Sequence, residues 1–279
     1  MTTQVARSER GINFFGFQQI GIIGCGHLGR TLAQVLLDNH FPKKNLKVSY
    51  GGSSSTLASI RRSGLSENIT DNDQLCKQSD MIFIALKPQN FKELKKLVFP
   101  KRVVVVSCMA GIAINSFQSV LGIDVFRIMP SGPDTILKKK GIVALFPYQD
   151  LLRRFLFEMG FKVYKVKCEE DLHTFTAGVC LPAALLAAKK LNGTIDNTIL
   201  EIEKDYPDFK TIYQWAMNAL PNFETEAEKD EYIRKMTTKG GITECIIDSI
   251  YKNKGFLRAI RNGIARSKDI SEQANIFVP

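Results

Sequence analysis

The sequence predicts an α/β chain: a doubly wound parallel sheet under crossover helices, followed by an all-helical half. Three observations carry this reading. Apolar runs of strand length alternate with helix-length stretches from Gln19 to Val166. Several of those runs are apolar at every position, which is the mark of strands buried on both faces. Beyond Cys168 the strand signal stops and only helical patterns follow.

In order, Gln19 to Gly24 reads as a strand that ends in a glycine cluster. Thr31 to Leu37 reads as a helix, with Leu32, Val35 and Leu36 at helical spacing. Leu46 to Tyr50 is a second strand, stopped by Gly51-Gly52, and Ser55 to Arg62 suits a helix. Met81 to Leu86, Val103 to Ser107, Val125 to Met129, Ile142 to Phe146 and Lys162 to Val166 supply further strands, with a helix at Leu151 to Met159. Asp171 to Leu191 is alanine-rich and helical, and Pro182 must kink it or mark a first turn. Ile195 to Lys204, Phe209 to Ala219, Glu224 to Met236, Thr243 to Tyr251 and Phe256 to Gln273 complete a helical series. The domain boundary is expected near 168, giving units 1–168 and 169–279. Residues 1–16 and 274–279 are expected to fray.

Composition narrows the function classes. Of the 279 residues, 44% are hydrophobic and 24% charged, a globular balance with apolar surface for a core. No apolar stretch approaches the roughly 18 residues of a membrane span, and no signal peptide is apparent. A soluble cytoplasmic protein is the expectation. Six cysteines stand apart with no Cys-x-x-Cys pair, and three histidines are scattered, so no metal cluster is expected. The net charge of +10 is spread along the chain. Its denser runs, Lys138 to Lys140 and Lys252 to Lys268, read as solvated helix faces, and nucleic acid is not the expected partner.

Gly24-Cys-Gly26-His27-Leu28-Gly29 fits G-x-G-x-x-G directly after a strand and before a helix. Gly24 permits the tight turn, Gly26 lets the backbone approach a pyrophosphate, and Gly29 lets the helix pack on the strand. The helix N-terminus favours the anion. A dinucleotide-binding Rossmann unit is therefore expected. After the second strand an NAD site commonly places an acid. Here Ser53, Ser54 and Ser55 stand in that region, and Arg61 and Arg62 follow. Hydroxyls, amides and guanidinium groups suit a 2′-phosphate, so NADP(H) is the expected cofactor. The serines also suit a helix cap, and both roles are compatible.

Five anchors in order carry a resemblance. They are Ile20 to Gly26, Ala85-Leu86-Lys87-Pro88-Gln89, Ser107 to Ile112, Arg127-Ile-Met129-Pro130, and Thr237 to Thr243. Together they resemble the pyrroline-5-carboxylate reductase family along most of the chain. The resemblance implies a Rossmann domain plus a helical domain that interlocks with a partner subunit, and hence a homodimer or higher homo-oligomer. It implies cofactor contacts at Gly24 to Gly29, Ser53 to Ser55, Leu86, Lys87, Pro88, Met109, Ala110 and Gly111. It implies that a small-molecule substrate lies at the dimer interface against the loop 237–243. Amides of Gly240 and Gly241 would receive a carboxylate there. Thr243 matches the family threonine that hydrogen-bonds the imine nitrogen, and Thr238 stands where the family has a loop serine. A helix cap is the alternative role for Thr243. Asp171 and His173 are read as a helix cap and a surface residue.

The departures from the family pattern cluster near the substrate. Ala177 to Ala183 stands in place of a Ser-Gly-Ser-Gly-Pro-Ala segment, Lys239 replaces a proline, and Ser131-Gly132 replaces Asn-Thr. Lys239 either binds an acidic substrate group or faces solvent. Three readings stay open: reduction of pyrroline-5-carboxylate with NADPH, reduction of another small imine or carbonyl compound, and a nucleotide-binding regulator without turnover.

Overall fold

The structure is a computed structural model and describes residues 16–188, 195–252 and 255–275. Of the ends expected to fray, 1–15 and 276–279 lie outside these residues, whereas Ala274 and Asn275 are helical. Residues 189–191 of the expected Asp171 to Leu191 helix also lie outside them.

Seven strands form one sheet: β1 (Ile20–Ile23), β2 (Leu46–Ser49), β3 (Met81–Ile84), β4 (Val104–Ser107), β5 (Phe126–Pro130), β6 (Ile142–Phe146) and β7 (Lys162–Lys165). Their spatial order is β2-β1-β3-β4-β5-β6-β7. β1 is parallel to both neighbours, with Ile20 opposite Leu46 and Met81. Every residue of β1 and β3 is buried, as their continuous apolar runs require.

The sheet departs from an all-parallel reading at one seam, where β5 and β6 pair antiparallel with Ile128 opposite Leu145. The reason is chain length. Only residues 131–141 join the two strands, which is too short for a crossover back to the starting edge. A five-residue helix fills that link.

Helices α1 (His27–Asp38), α2 (Ser54–Arg62), α3 (Asn72–Gln78), α4 (Ile114–Leu121), α5 (Pro133–Leu137) and α6 (Asp150–Glu158) accompany the strands. A run of 3-10 helix covers Pro88–Lys96. Successive residues of β1 and β3 alternate between two apolar clusters, one on each face: Ile22, Met81 and Phe83 on one, Ile23, Ile82 and Ile84 on the other.

Helices α7 (Asp171–Val179), α8 (Leu181–Ala188), α9 (Ile195–Asp205), α10 (Phe209–Ala219), α11 (Glu226–Met236), α12 (Ile242–Tyr251) and α13 (Phe256–Asn275) form the rest. Their apolar cluster takes in Met129 of β5 with Ile142 and Ala144 of β6. The helical half therefore roofs one face of the sheet where no crossover helix lies. Pro182 is the second residue of α8, where its missing N–H costs no helical bond. α7 and α8 meet at a bend of 53°. By length and composition that bent pair passes the test for a membrane span, yet every α8 residue is buried inside the protein. Among the described residues no single helix is long and apolar enough to cross one.

An ion pair ties the two halves. Arg127 on β5 is 3% exposed and meets Glu169, just before α7, at 2.6 Å. The same carboxylate oxygen accepts the Ile114 amide at the start of α4. Burial pulls the Arg127 guanidinium below its usual value, and Glu169 pulls it back.

Candidate functional site

Because β1 to β4 run parallel, their carboxyl ends share one edge of the sheet. The glycine loop, the serine run, Ala85 to Pro88 and Cys108 to Gly111 all emerge there, the edge at which doubly wound sheets bind ligands.

The three loop glycines differ in backbone conformation and surroundings. Gly24 has φ +94°, a left-handed conformation that glycine adopts without strain. A Cβ on Gly29 would fall 2.3 Å from the Gly24 carbonyl oxygen, so α1 packs against the turn only because none is there. A Cβ on Gly26 would meet nothing within 4 Å, leaving open space over the N-terminus of α1. The Gly24 and Cys25 amides donate to the Ser49 carbonyl, and the Gly26 amide to the Gly24 carbonyl. The amides of His27 and Leu28 open α1, where no acceptor lies within the helix. Leu28 itself packs on the sheet's core, while the His27 side chain is exposed. The space and the donors fit a pyrophosphate.

Ser53, Ser54 and Ser55 are all exposed. Ser53 occupies the N-cap position of α2 but makes no side-chain cap bond. Its hydroxyl instead pairs with that of Ser55 at 2.9 Å. Arg61 and Arg62 end α2, about 10 Å along the axis from Ser54 at ~1.5 Å per residue. Arg62 turns to Ser59 at 3.1 Å.

A cavity of about 430 Å³ brings the two halves together. Lys87, Pro88, Gln89 and Ala110 line it from the sheet edge. Thr238 to Thr243, Cys180, Arg266, Ile270 and Gln273 line it from the helices. Of the expected cofactor contacts, Leu86 lies beside Gly24 instead, and Met109 is buried in the core. Gly111 is buried and its carbonyl accepts the Ser271 hydroxyl of α13.

Both sides of this cavity come from one chain. Ala183 to Ala188, whose apolar character implied a partner subunit, is covered within the chain.

The loop amides also correct the sequence reading. The Gly240 amide donates to the Glu244 carboxylate at 2.6 Å, and the Gly241 amide to the Thr238 carbonyl at 2.8 Å. Neither is free to receive a carboxylate. Lys87, Lys239 and Arg266 line the cavity, and among the described residues no acid does. Arg266 holds the loop by donating twice to the Gly240 carbonyl, at 2.7 and 3.0 Å.

Thr243 is not the helix cap; Gly241 takes that position and α12 begins at Ile242. The Thr243 hydroxyl donates to Cys180 Sγ at 3.2 Å. Burial pushes the Cys180 thiol up to about 11, with the Thr243 bond pulling it back, so the thiol is neutral. His173 is buried at 6% rather than on the surface, and its Nδ1 pairs with Ser267 at 2.9 Å. Asp171 accepts the Lys167 and Cys168 amides just ahead of α7. Among the described residues no group of His, Cys, Asp or Glu is placed to hold a metal ion.

Several lining residues escaped the sequence reading as contributors, among them Arg266, Cys180, Ile270 and Gln273. Arg266 sat inside a basic run read as solvated, and Cys180 was one of six thiols with no spacing signal. Only its place in the altered 177–183 segment marked it.

Residues 19–111 match the family described as NADP oxidoreductase coenzyme F420-dependent. Over 139 residues the chain is 28% identical to a pyrroline-5-carboxylate reductase of Corynebacterium melassecola, covering 47% of this chain and 51% of that protein. The chain thus spans about half the length of the curated relatives it matches. The fold is similar to that of 1-pyrroline-5-carboxylate reductase from Streptococcus pyogenes, with TM-score 0.56 and 22% identity over 91% of this chain and 98% of that one. It is similar again to pyrroline carboxylate reductase from Plasmodium falciparum with NADP bound, with TM-score 0.53 and 18% identity over 91% and 98%. A Rossmann-like sheet unit with a helical C-terminal region is the shared architecture. In sequence and fold, the chain resembles the pyrroline-5-carboxylate reductases as a divergent relative.

Proposed function

We propose that the protein is an NADPH-dependent reductase of a small cyclic imine that carries a carboxylate, with pyrroline-5-carboxylate as substrate and proline as product. The observation that carries this is the cavity, which sets Thr243 and a cationic lining opposite Lys87-Pro88 and Ala110. In this reading residues 1–168 hold the dinucleotide and 169–279 close over the substrate.

When bound, the dinucleotide supplies a hydride from nicotinamide C4. The amides of His27 and Leu28 and the open space at Gly26 hold the pyrophosphate. Ser53 to Ser55, exposed at the start of α2, offer hydroxyls and helix amides to a 2′-phosphate. Arg61 and Arg62, at the far end of α2, are not needed for it. Lys239 and Arg266 stand in for the occupied Gly240 and Gly241 amides as the carboxylate receptor. Thr243 meets the imine nitrogen. A protonated imine carbon is already electrophilic, so positioning and exclusion of water supply most of the rate, and no catalytic histidine or carboxylate is required.

The loop glycines give the first test. Gly26→Ala is expected to leave the melting temperature unchanged yet weaken NADPH, because the added methyl enters only the open space. Gly29→Ala is expected to cost about 1–3 kcal/mol of stability through overpacking. Thermal melts and fluorescence titrations separate the two, and unchanged NADPH affinity in Gly26→Ala contradicts the pyrophosphate assignment.

Cofactor choice gives the second. NADPH is expected to bind about ten-fold more tightly than NADH, the worth of roughly one charge-assisted contact. A triple Ser53→Ala, Ser54→Ala, Ser55→Ala variant should remove most of that preference while Arg61→Ala keeps it. Equal affinities in the wild type refute the assignment.

Turnover gives the third. NADPH oxidation should accelerate with pyrroline-5-carboxylate, and Thr243→Ala should lower kcat by about ten-fold or more with NADPH affinity intact. Acceleration by a 2-oxo acid and not by the imine would favour the carbonyl reading; NADPH binding without any turnover would favour the regulator.

A further inference from the structure

Cys180 gives the cavity a chemical polarity that the family resemblance does not contain. It lies in the altered 177–183 segment, at the bend between α7 and α8. Its thiol makes two hydrogen bonds. The S–H donates to the Thr176 carbonyl, one helical turn earlier, at 3.3 Å. The sulfur accepts from the Thr243 hydroxyl at 3.2 Å. A thiol has one proton, so the two bonds fit a single arrangement: Thr243 to sulfur, and sulfur to the Thr176 carbonyl.

A hydroxyl also has one proton. With it committed to sulfur, Thr243 can offer only oxygen lone pairs elsewhere, and both Thr243 and Cys180 line the cavity. We infer that Cys180 is a positioning residue that turns Thr243 into a hydrogen-bond acceptor, so that the site selects a substrate with an N–H at its reacting end, a protonated imine, over a carbonyl compound.

The proton balance points the same way. In a protonated imine the carbon gains the hydride, the C=N π pair moves to nitrogen, and the N–H already present stays where it is. The product is a neutral secondary amine, and Thr243 gives up nothing. A carbonyl compound reduced by hydride becomes an alkoxide and needs a proton at oxygen. Thr243 can supply none without leaving sulfur. A carbonyl oxygen would also face the lone pairs of Thr243 in the ground state, acceptor against acceptor.

The sulfur bond is weak beside an oxygen one, so its role is direction rather than strength. Its low worth also means that its loss should not unfold the protein. Serine in its place keeps one donor and one acceptor and can rebuild the same chain to the Thr176 carbonyl. Alanine removes both and frees the Thr243 hydroxyl to rotate.

This inference rests on the imine-reductase reading, and its test has one arm that does not. In the first arm, the S–H stretching band of Cys180 is isolated as the infrared difference between wild type and Cys180→Ala, then followed in Thr243→Val. The band should keep its hydrogen-bonded position in Thr243→Val, because its acceptor is the Thr176 carbonyl. A move to the free-thiol position would show that the thiol donates to Thr243, and would overturn the inference whatever the enzyme reduces. In the second arm, steady-state NADPH oxidation is measured with pyrroline-5-carboxylate and with a short 2-oxo acid. Cys180→Ala should lose about ten-fold in kcat for the imine, with a shifted imine-to-keto ratio and unaltered NADPH affinity, and Cys180→Ser should recover most of it. A Cys180→Ala enzyme with wild-type kcat and ratio overturns the inference. A wild type inert to the imine defeats the reductase reading, while the infrared arm still decides the hydrogen-bond direction.

Discussion

One helix holds the candidate site together. α13 runs 20 residues from Phe256 to Asn275 and bonds the loop at 237–243, the loop at the sheet edge and α7 through three different side chains. Arg266 grips the Gly240 carbonyl of the substrate loop, Ser271 grips the Gly111 carbonyl at the sheet edge, and Ser267 pairs with His173 of α7. Ala259, Ile260 and Ile264 bury the same helix in the core of the helical half. At Gly263 the approach of α12 is close enough that an added Cβ would fall 2.5 Å from Ile246. The neutral bonds among these contribute only about 1 kcal/mol each, and the charged Arg266 donor about 1.5–3 kcal/mol. Their value lies in sharing one rigid rod, so that the loop at 237–243 and the loop at 109–111 keep a fixed separation. The Arg127–Glu169 pair acts beside it, fixing where the chain leaves the sheet.

What the sequence disclosed follows the range of the forces involved. Strands and helices are local matters of periodicity, and Met81 to Leu86 or Phe209 to Ala219 announce themselves. The glycine loop is local too, since turn, approach and packing all fall within six residues. The antiparallel seam at β6 depends on the length of a link and was not legible in the apolar pattern. The same holds for α3, a seven-residue helix with few apolar positions. The cavity depends on contacts between residues far apart in the chain, such as Thr243 with Cys180 and Ser271 with Gly111. No periodicity encodes those. His173 illustrates the limit: a histidine on a mixed helix looks solvent-facing until α13 is laid over it.

Two of the departures from the family pattern, Lys239 and Cys180, share the cavity with Thr243 and Arg266. Glu244 takes the amide of Gly240, so the loop no longer presents its glycine amides to an anion. Lys239 and Arg266 restore positive charge to the same wall. Within the altered 177–183 segment, Cys180 sets a neutral thiol between the Thr243 hydroxyl and the Thr176 carbonyl. In the proposed reading, a carboxylated imine is held here by side-chain charge rather than by loop amides.

The account's central claim is that this cavity lets a hydride pass to an imine carbon. The most direct measurement uses NADPH deuterated at both positions of nicotinamide C4, incubated with the protein and pyrroline-5-carboxylate, with mass spectrometry of the product. The account predicts proline that carries one deuterium, formed in proportion to enzyme and absent without it. Unlabelled proline, or no proline at all with NADPH demonstrably bound, would contradict it.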